Sequence, residues 1–167
     1  LSIVYQGGGL VVEALLVDHE PVSPAVGYRF SYGGRTLLIS GDTSKSDNIS
    51  RFAEGIDLLV HEALSPELIG MMEKTMKDLG NDTLAKIMFD IPDYHASPRE
   101  AAETARDAGV GHLLYYHVVP PIIVPGQETL WLNGAGDIFP DYTVGYDGGS
   151  FSLPANSTEI FQTRKGM

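Results

Sequence analysis

The sequence predicts an α/β (α+β) fold, a sandwich of sheet and helix layers. Three observations carry this. Short apolar runs of strand length recur along the chain, as at Leu10–Val17 and Ala25–Tyr32. From Ser46 onward, such runs alternate with helix-spaced or helix-capped segments. The tail, from Thr143 to Ile160, returns to alternating residues broken by a turn at Asp147-Gly148-Gly149, enough for one or two edge strands.

The elements follow in order. Gly7-Gly8-Gly9 reads as a flexible lead-in. Residues 10 to 17 form the first strand. Residues 25 to 32 and 35 to 40 form a hairpin across Gly33-Gly34, because glycine adopts the positive φ that a two-residue turn demands. Residues 46 to 53 form a short helix stopped by Gly55. Residues 56 to 60 form a buried strand followed at once by His61-Glu62. Leu68, Met71, Met72, Met76 and Leu79 have helical spacing, and a methionine stripe there reads as packing or a lid. A shorter helical piece covers residues 82 to 89. Ser97-Pro98-Arg99-Glu100 is a helix start, with Ser97 and Glu100 forming a capping box. Ala101, Ala102, Ala105 and Ala108 give that helix a narrow face able to pack close to a sheet, and Gly109 ends it. Residues 113 to 117 form a last buried strand, stopped by Pro120-Pro121. His112 reads as a structural residue in a surface turn.

The chain has 167 residues, enough for one domain with a core. No cysteine is present, so metal ligands must come from His, Asp and Glu. The net charge is −11, and Arg99, Arg106, Arg164 and Lys165 are scattered, so no basic patch for a polyanion is evident. No apolar run approaches the roughly 20 residues of a membrane span, and no signal peptide is visible. The chain begins at Leu1, which leaves the compartment open between cytoplasm and periplasm.

Three strand ends carry metal-binding side chains. These are Asp18-His19, Ser40-Gly41-Asp42-Thr43 and His117. Each residue alone has an ordinary structural explanation, as a surface histidine or a turn-capping aspartate. Together, His19, Asp42 and His117 suit Zn²⁺, with Mn²⁺ or Fe as alternatives, and a carboxylate such as Asp42 can bridge two cations. His61-Glu62 and His95 follow the same strand-end logic. A Glu62–His95 pair would raise the histidine pKa and make a general acid.

The order Asp18-His19, Gly27-Tyr28-Arg29, Ser40-Gly41-Asp42-Thr43, His61-Glu62-Ala63, His95-Ala96-Ser97 and His117 resembles the C-terminal half of the metallo-β-lactamase superfamily. The match is to its ribonuclease Z and arylsulfatase-like branch and covers roughly residues 10 to 120. The resemblance implies a metallo-β-lactamase-like αβ/βα sandwich with a two-zinc site. It implies that His19 ligates one zinc, Asp42 bridges both, and His117 ligates the second. It makes His95 a proton donor oriented by Glu62, with His95, Ser97 and His61 at the substrate. The nucleophile would be a metal-bound hydroxide.

Three departures shape the expectation. The superfamily's H-x-H-x-D-H motif is absent, so residues 1–167 are expected to be the C-terminal part of a single domain, inactive alone. Leu64 stands for the signature threonine, and Ala96-Ser97 stands for Ser-Thr. The RNA-binding arm between the Gly-Tyr-Arg strand and Ser-Gly-Asp-Thr is replaced by the Gly33-Gly34 turn. With the acidic charge, this argues against efficient tRNA binding. The leading expectation is therefore a zinc-dependent hydrolase of small phosphodiesters or sulfate esters. The alternatives are a tRNA 3′-processing endoribonuclease and a non-catalytic half-domain remnant or partner subunit. A homodimer is expected by analogy alone.

Overall fold

The computed structural model describes residues 1–164, so Lys165 lies outside the described residues. Its centre is a seven-stranded sheet in the order β1-β2-β3-β4-β5-β6-β7. The strands are β1 (Ser2–Gly7), β2 (Leu10–Val17), β3 (Ala25–Tyr32), β4 (Arg35–Ile39), β5 (Leu58–Leu64), β6 (His112–Val119) and β7 (Tyr142–Val144). The first four are antiparallel neighbours, and β4 to β7 run parallel. Parallel strands need crossovers, and helices supply them. The crossovers are α1 (Asp47–Phe52), then α2 (Pro66–Asp78), α3 (Asp82–Asp90) and α4 (Pro98–Ala108), and finally α5 (Gln127–Leu132) and α6 (Ala135–Ile138). A separate hairpin, β8 (Gly149–Ser152) with β9 (Phe161–Arg164), follows.

The expected elements are present with three differences. The lead-in is a strand: Ser2–Gly7 pairs with β2 across an irregularity at Val4, and Gly8 and Gly9 make its turn instead of a flexible lead-in. The β5 strand runs on through His61 and Glu62 to Leu64, so that pair lies within the strand and not beyond it. His112 is the first residue of β6 and not a surface turn, and its Nε2 lies 2.9 Å from the Thr143 hydroxyl. Burial holds the His112 pKa below its usual value. Helices α5 and α6 were not expected. They bring Trp131, fully buried, against Tyr115 edge-to-face at 5.2 Å between centroids.

The sheet's helix-covered face holds the core. Leu15, Val17, Leu38, Leu59, Leu113 and Tyr115 pack against Ile49 and Ala53 of the α1 region and against Ala101, Ala102 and Ala105 of α4. The alanine face permits this close approach, as the sequence predicted. The capping box forms in full, and Gly109 closes the helix in the left-handed conformation. On the opposite face Tyr28, Ile39, Val60 and Leu114 are in register across four strands. Arg35 ties the tail to that end of the sheet. Its guanidinium pairs with Asp57 at 3.0 Å and donates to the Glu159 carbonyl at 2.8 Å. Among the described residues, no helix is long and apolar enough to cross a membrane.

One consequence of this topology positions the site. The strands β2, β4, β5 and β6 all run in the same direction, so the residues that follow or end them share one rim of the sheet. In sheets of this kind, ligands sit outside the carboxyl ends of the strands.

Candidate metal centre

His19, Asp42 and His117 meet at this rim, as the sequence implied. Asp42 sits in the loop after β4, where Gly41 has φ +67°, and a Cβ there would lie 2.5 Å from the Val26 carbonyl oxygen. Only glycine fits this conformation without strain. Thr43 then fixes the loop. Its hydroxyl accepts from the Asp18 amide at 3.0 Å, and its own amide donates to Glu62 Oε1 at 3.0 Å. Ser44 donates its amide to the Asp18 carbonyl at 2.8 Å, which brings the end of β2, and hence His19, beside Asp42.

His117 reaches the site by a different route. The β5–β6 register passes from Glu62↔Tyr116 to Ala63↔Val118, which leaves His117 as the extra residue of a bulge. Its φ is +45°, rare for a residue other than glycine. A bulge re-aims a side chain, and this one swings the imidazole out of the strand's alternation toward Asp42.

The carboxylate of Asp42 stands between the two imidazoles. Oδ2 is 4.0 Å from His19 Nε2, and Oδ1 is 3.7 Å from His117 Nδ1. Two ligands on one zinc, each at about 2.0–2.2 Å, lie roughly 3.3–3.6 Å apart at the tetrahedral angle. The observed separations are slightly longer than this and too long for hydrogen bonds. Each oxygen faces a different histidine, the arrangement a bridging carboxylate needs.

Glu62 is of another kind. It is fully buried, and its Oε1 accepts from three donors: the Thr43 amide at 3.0 Å, the Ala96 amide at 3.2 Å and His95 Nδ1 at 3.0 Å. Its own amide donates to the Ser40 hydroxyl at 3.0 Å. Burial works against a charged His95, but the Glu62 hydrogen bond and the nearby Glu62 and Asp42 charges outweigh it and raise the His95 pKa. Since Nδ1 faces Glu62, Nε2 is the ring nitrogen left to meet a substrate. The His95 ring lies 5.2 Å from that of His19 and 5.5 Å from that of His117.

Ligand atoms of Glu62, His95 and His117 also lie within 4.8 Å of one another, which suggests a second ligand set. The two sets differ in their carboxylate: Glu62 Oε1 takes three donors and its Oε2 is buried with no partner, whereas among the described residues no hydrogen bond reaches Asp42.

Two residues expected at the substrate make contacts within the chain. His61 is fully buried, its Nδ1 donates to the Glu62 carbonyl at 2.7 Å, and its Nε2 is buried with no hydrogen-bond partner among the described residues. Burial lowers its pKa despite the neighbouring carboxylates. The Ser97 hydroxyl is spent on the α4 cap, accepting from the Glu100 amide at 3.2 Å and donating to the Glu100 carboxylate at 2.8 Å. Sequence reasoning missed two aromatic neighbours. Tyr94 stacks on His19 with ring centroids 5.1 Å apart and planes 15° from parallel. Tyr116, beside Ser40 and Gly41, has its pKa raised by burial and stays a neutral donor. Adjacency to His95 and His117 was the only local signal for either.

The fold is that of metallo-β-lactamase proteins. The chain superposes on YhfI, a metallo-β-lactamase fold protein from Bacillus subtilis, with a TM-score of 0.57 and 21% identity, over 84% of this chain and 48% of that one. It superposes on a long-form RNase Z from yeast with a TM-score of 0.52 and 15% identity, over 83% of this chain and 17% of that one. In sequence it is 37% identical over 123 residues to a ribonuclease Z of Mycobacterium bovis (strain BCG / Pasteur 1173P2), covering 74% of this chain and 40% of the relative. It is 33% identical over 139 residues to a ribonuclease Z of Mycobacterium sp. (strain KMS), covering 83% of this chain and 45% of the relative. The chain thus spans less than half the length of these relatives. No family profile matches it. The chain belongs to the metallo-β-lactamase superfamily, in its ribonuclease Z branch.

Proposed function

We propose that this chain is the C-terminal part of a metal-dependent phosphodiester hydrolase of the ribonuclease Z type. The observation that carries the proposal is the placement of Asp42, with one carboxylate oxygen toward His19 and the other toward His117. The ribonuclease Z relatives favour RNA over the small ester substrates first expected from the sequence. Zinc fits the donor set, and manganese or iron would also be accepted by one carboxylate and two imidazoles. His19, Asp42 and His117 would hold the metal, with further ligands supplied from outside this chain.

Bound divalent ions would supply an activated water and neutralise charge developing on the phosphoryl oxygens. The chain's own residues do the rest. Glu62 holds His95 Nδ1 and favours the imidazolium. His95 Nε2 then gives its proton to the leaving oxygen. The Glu62 Oε1 bonds to His95 Nδ1 and to the Ala96 amide restrain that donor beside His19 and His117.

A second reading, a small phosphodiester or sulfate ester as substrate, is favoured by the net charge of −11 and by the two-glycine turn between β3 and β4. One experiment separates the two. The full-length protein, loaded with zinc, is given a precursor tRNA and, separately, bis(p-nitrophenyl) phosphate and an aryl sulfate. Cleavage of the precursor at physiological salt supports the proposal. Turnover of the small esters alone moves the assignment to the second reading, and inertness toward all three overturns both.

A further inference from the structure

His19 lacks a feature that metal-binding histidines ordinarily have. Such a ring donates its other nitrogen to a carboxylate, a carbonyl or a water, and that bond fixes both tautomer and orientation. His19 presents Nε2 to Asp42, yet its Nδ1 is buried with no hydrogen-bond partner among the described residues. Its neighbour His95 is oriented by a carboxylate at 3.0 Å. Among the described residues, the restraint on the His19 plane comes from ring contacts.

Tyr94 lies in the right place to supply that restraint. Its ring is nearly parallel to His19, with planes 15° apart and centroids 5.1 Å apart. Tyr94 is itself well anchored. It ends the 3₁₀ turn Ile91–Tyr94, which carries Pro92 in its first turn. The next two residues are fixed by one atom, since Glu62 Oε1 takes both His95 Nδ1 and the Ala96 amide. The Ala96 carbonyl in turn accepts from the Leu64 amide at 2.9 Å. A chain of contacts therefore runs from Glu62 through residues 95 and 96 to Tyr94, and from Tyr94 to the face of His19.

We infer that Tyr94 is a positioning residue for the metal centre, holding the His19 imidazole by ring stacking where a hydrogen bond to Nδ1 would ordinarily do so. The inference rests on the metal-binding reading of His19. The role belongs to the aromatic face and not to the hydroxyl, so Tyr94→Phe and Tyr94→Leu separate it from a general packing effect. A freely turning ring presents Nε2 correctly only part of the time. The loss of such an orienting partner weakens metal affinity about 10- to 100-fold.

The test measures zinc affinity of the full-length protein by competition with a chromophoric chelator, alongside the melting temperature of the metal-free forms. Tyr94→Leu is expected to bind zinc at least about tenfold more weakly, with Tyr94→Phe close to wild type and the metal-free melting temperatures of the two variants alike. Equal affinity in Tyr94→Leu and wild type overturns the inference while leaving the metal site standing. So does equal weakening in Tyr94→Phe, which would assign the effect to the hydroxyl. A wild-type protein that takes up no zinc, manganese or iron overturns the metal reading and this inference with it.

Discussion

Two carboxylates on the same rim are built in opposite ways. Glu62 is fully buried and accepts three hydrogen bonds on one oxygen. Asp42 is 42% exposed in its side chain and faces two imidazoles at 3.7 and 4.0 Å. The difference is one of burial and of hydrogen bonding to the chain. Glu62 takes three donors from within the chain on Oε1, His95 among them, and so orients that ring, while its Oε2 is buried with no hydrogen-bond partner among the described residues. Asp42 has two imidazoles slightly beyond ligand spacing and, among the described residues, no hydrogen-bond donor, an arrangement that a cation would complete under the proposed function. A charge held by several donors is rigid and expensive to disturb, whereas an open carboxylate between two imidazoles is poised to exchange water for metal.

The largest expected effect comes from removing the open member. Asp42→Ala should lower zinc affinity by about 100-fold or more and abolish phosphodiester cleavage with it, read by elemental analysis and by turnover on the same sample. If metal stayed while activity fell, Asp42 would be a catalytic group only, and the contrast with Glu62 would collapse. Next in size is the proton donor. His95→Ala should keep the metal and slow substrates with poor leaving groups by about 10²- to 10⁴-fold, with a much smaller loss for a p-nitrophenolate leaving group. Loss of metal in this variant would make His95 a ligand, as its proximity to Glu62 and His117 allows.

Replacing Glu62 by Gln sharpens the comparison through pH. Burial alone lowers the His95 pKa, and the Glu62 bond and charge reverse that. A general acid works below its pKa, so activity falls as pH rises through it. In Glu62→Gln the alkaline fall should move to lower pH, and an unmoved profile would remove His95 from the proton transfer. The smallest effect concerns stability of the metal-free chain. The folded-state pKa of His95 is raised, so its contribution is complete below the unfolded value of about 6.5 and is lost as pH rises through the folded value. The folded-state pKa of His61 is lowered by burial, so its contribution is complete above about 6.5 and is lost as pH falls toward the folded value. His61→Gln should therefore flatten the acid side of a melting-temperature profile and leave the alkaline side in place.

The legible parts of this molecule were those written in local chemistry. Ser97 and Glu100 announce a cap, Gly33-Gly34 a hairpin, and strand ends that carry His or Asp announce the rim. The unread parts depend on distance in sequence. The turn at Gly8-Gly9 was recognisable as glycine, but the strand Ser2–Gly7 exists only because β2 pairs with it. The Trp131 helix is short, and its tryptophan is buried against Tyr115 from another element. The bulge at His117 follows from the β5–β6 register, which no window of the sequence displays. The stack of Tyr94 on His19 joins residues 75 positions apart and has no motif. His61 and Ser97 show the reverse problem. Their neighbours in sequence suggested a ligand-facing role, while one is enclosed by the core and the other spends its hydroxyl on a helix cap.

The contrast between the two carboxylates is tested most directly by the metal content of two variants of the full-length protein, purified side by side with the wild type. Zinc, manganese and iron would be measured per chain in Asp42→Ala and in Glu62→Gln. Metal is expected to be lost from Asp42→Ala and retained by Glu62→Gln. Metal retained by Asp42→Ala, or lost from Glu62→Gln alone, would contradict that contrast.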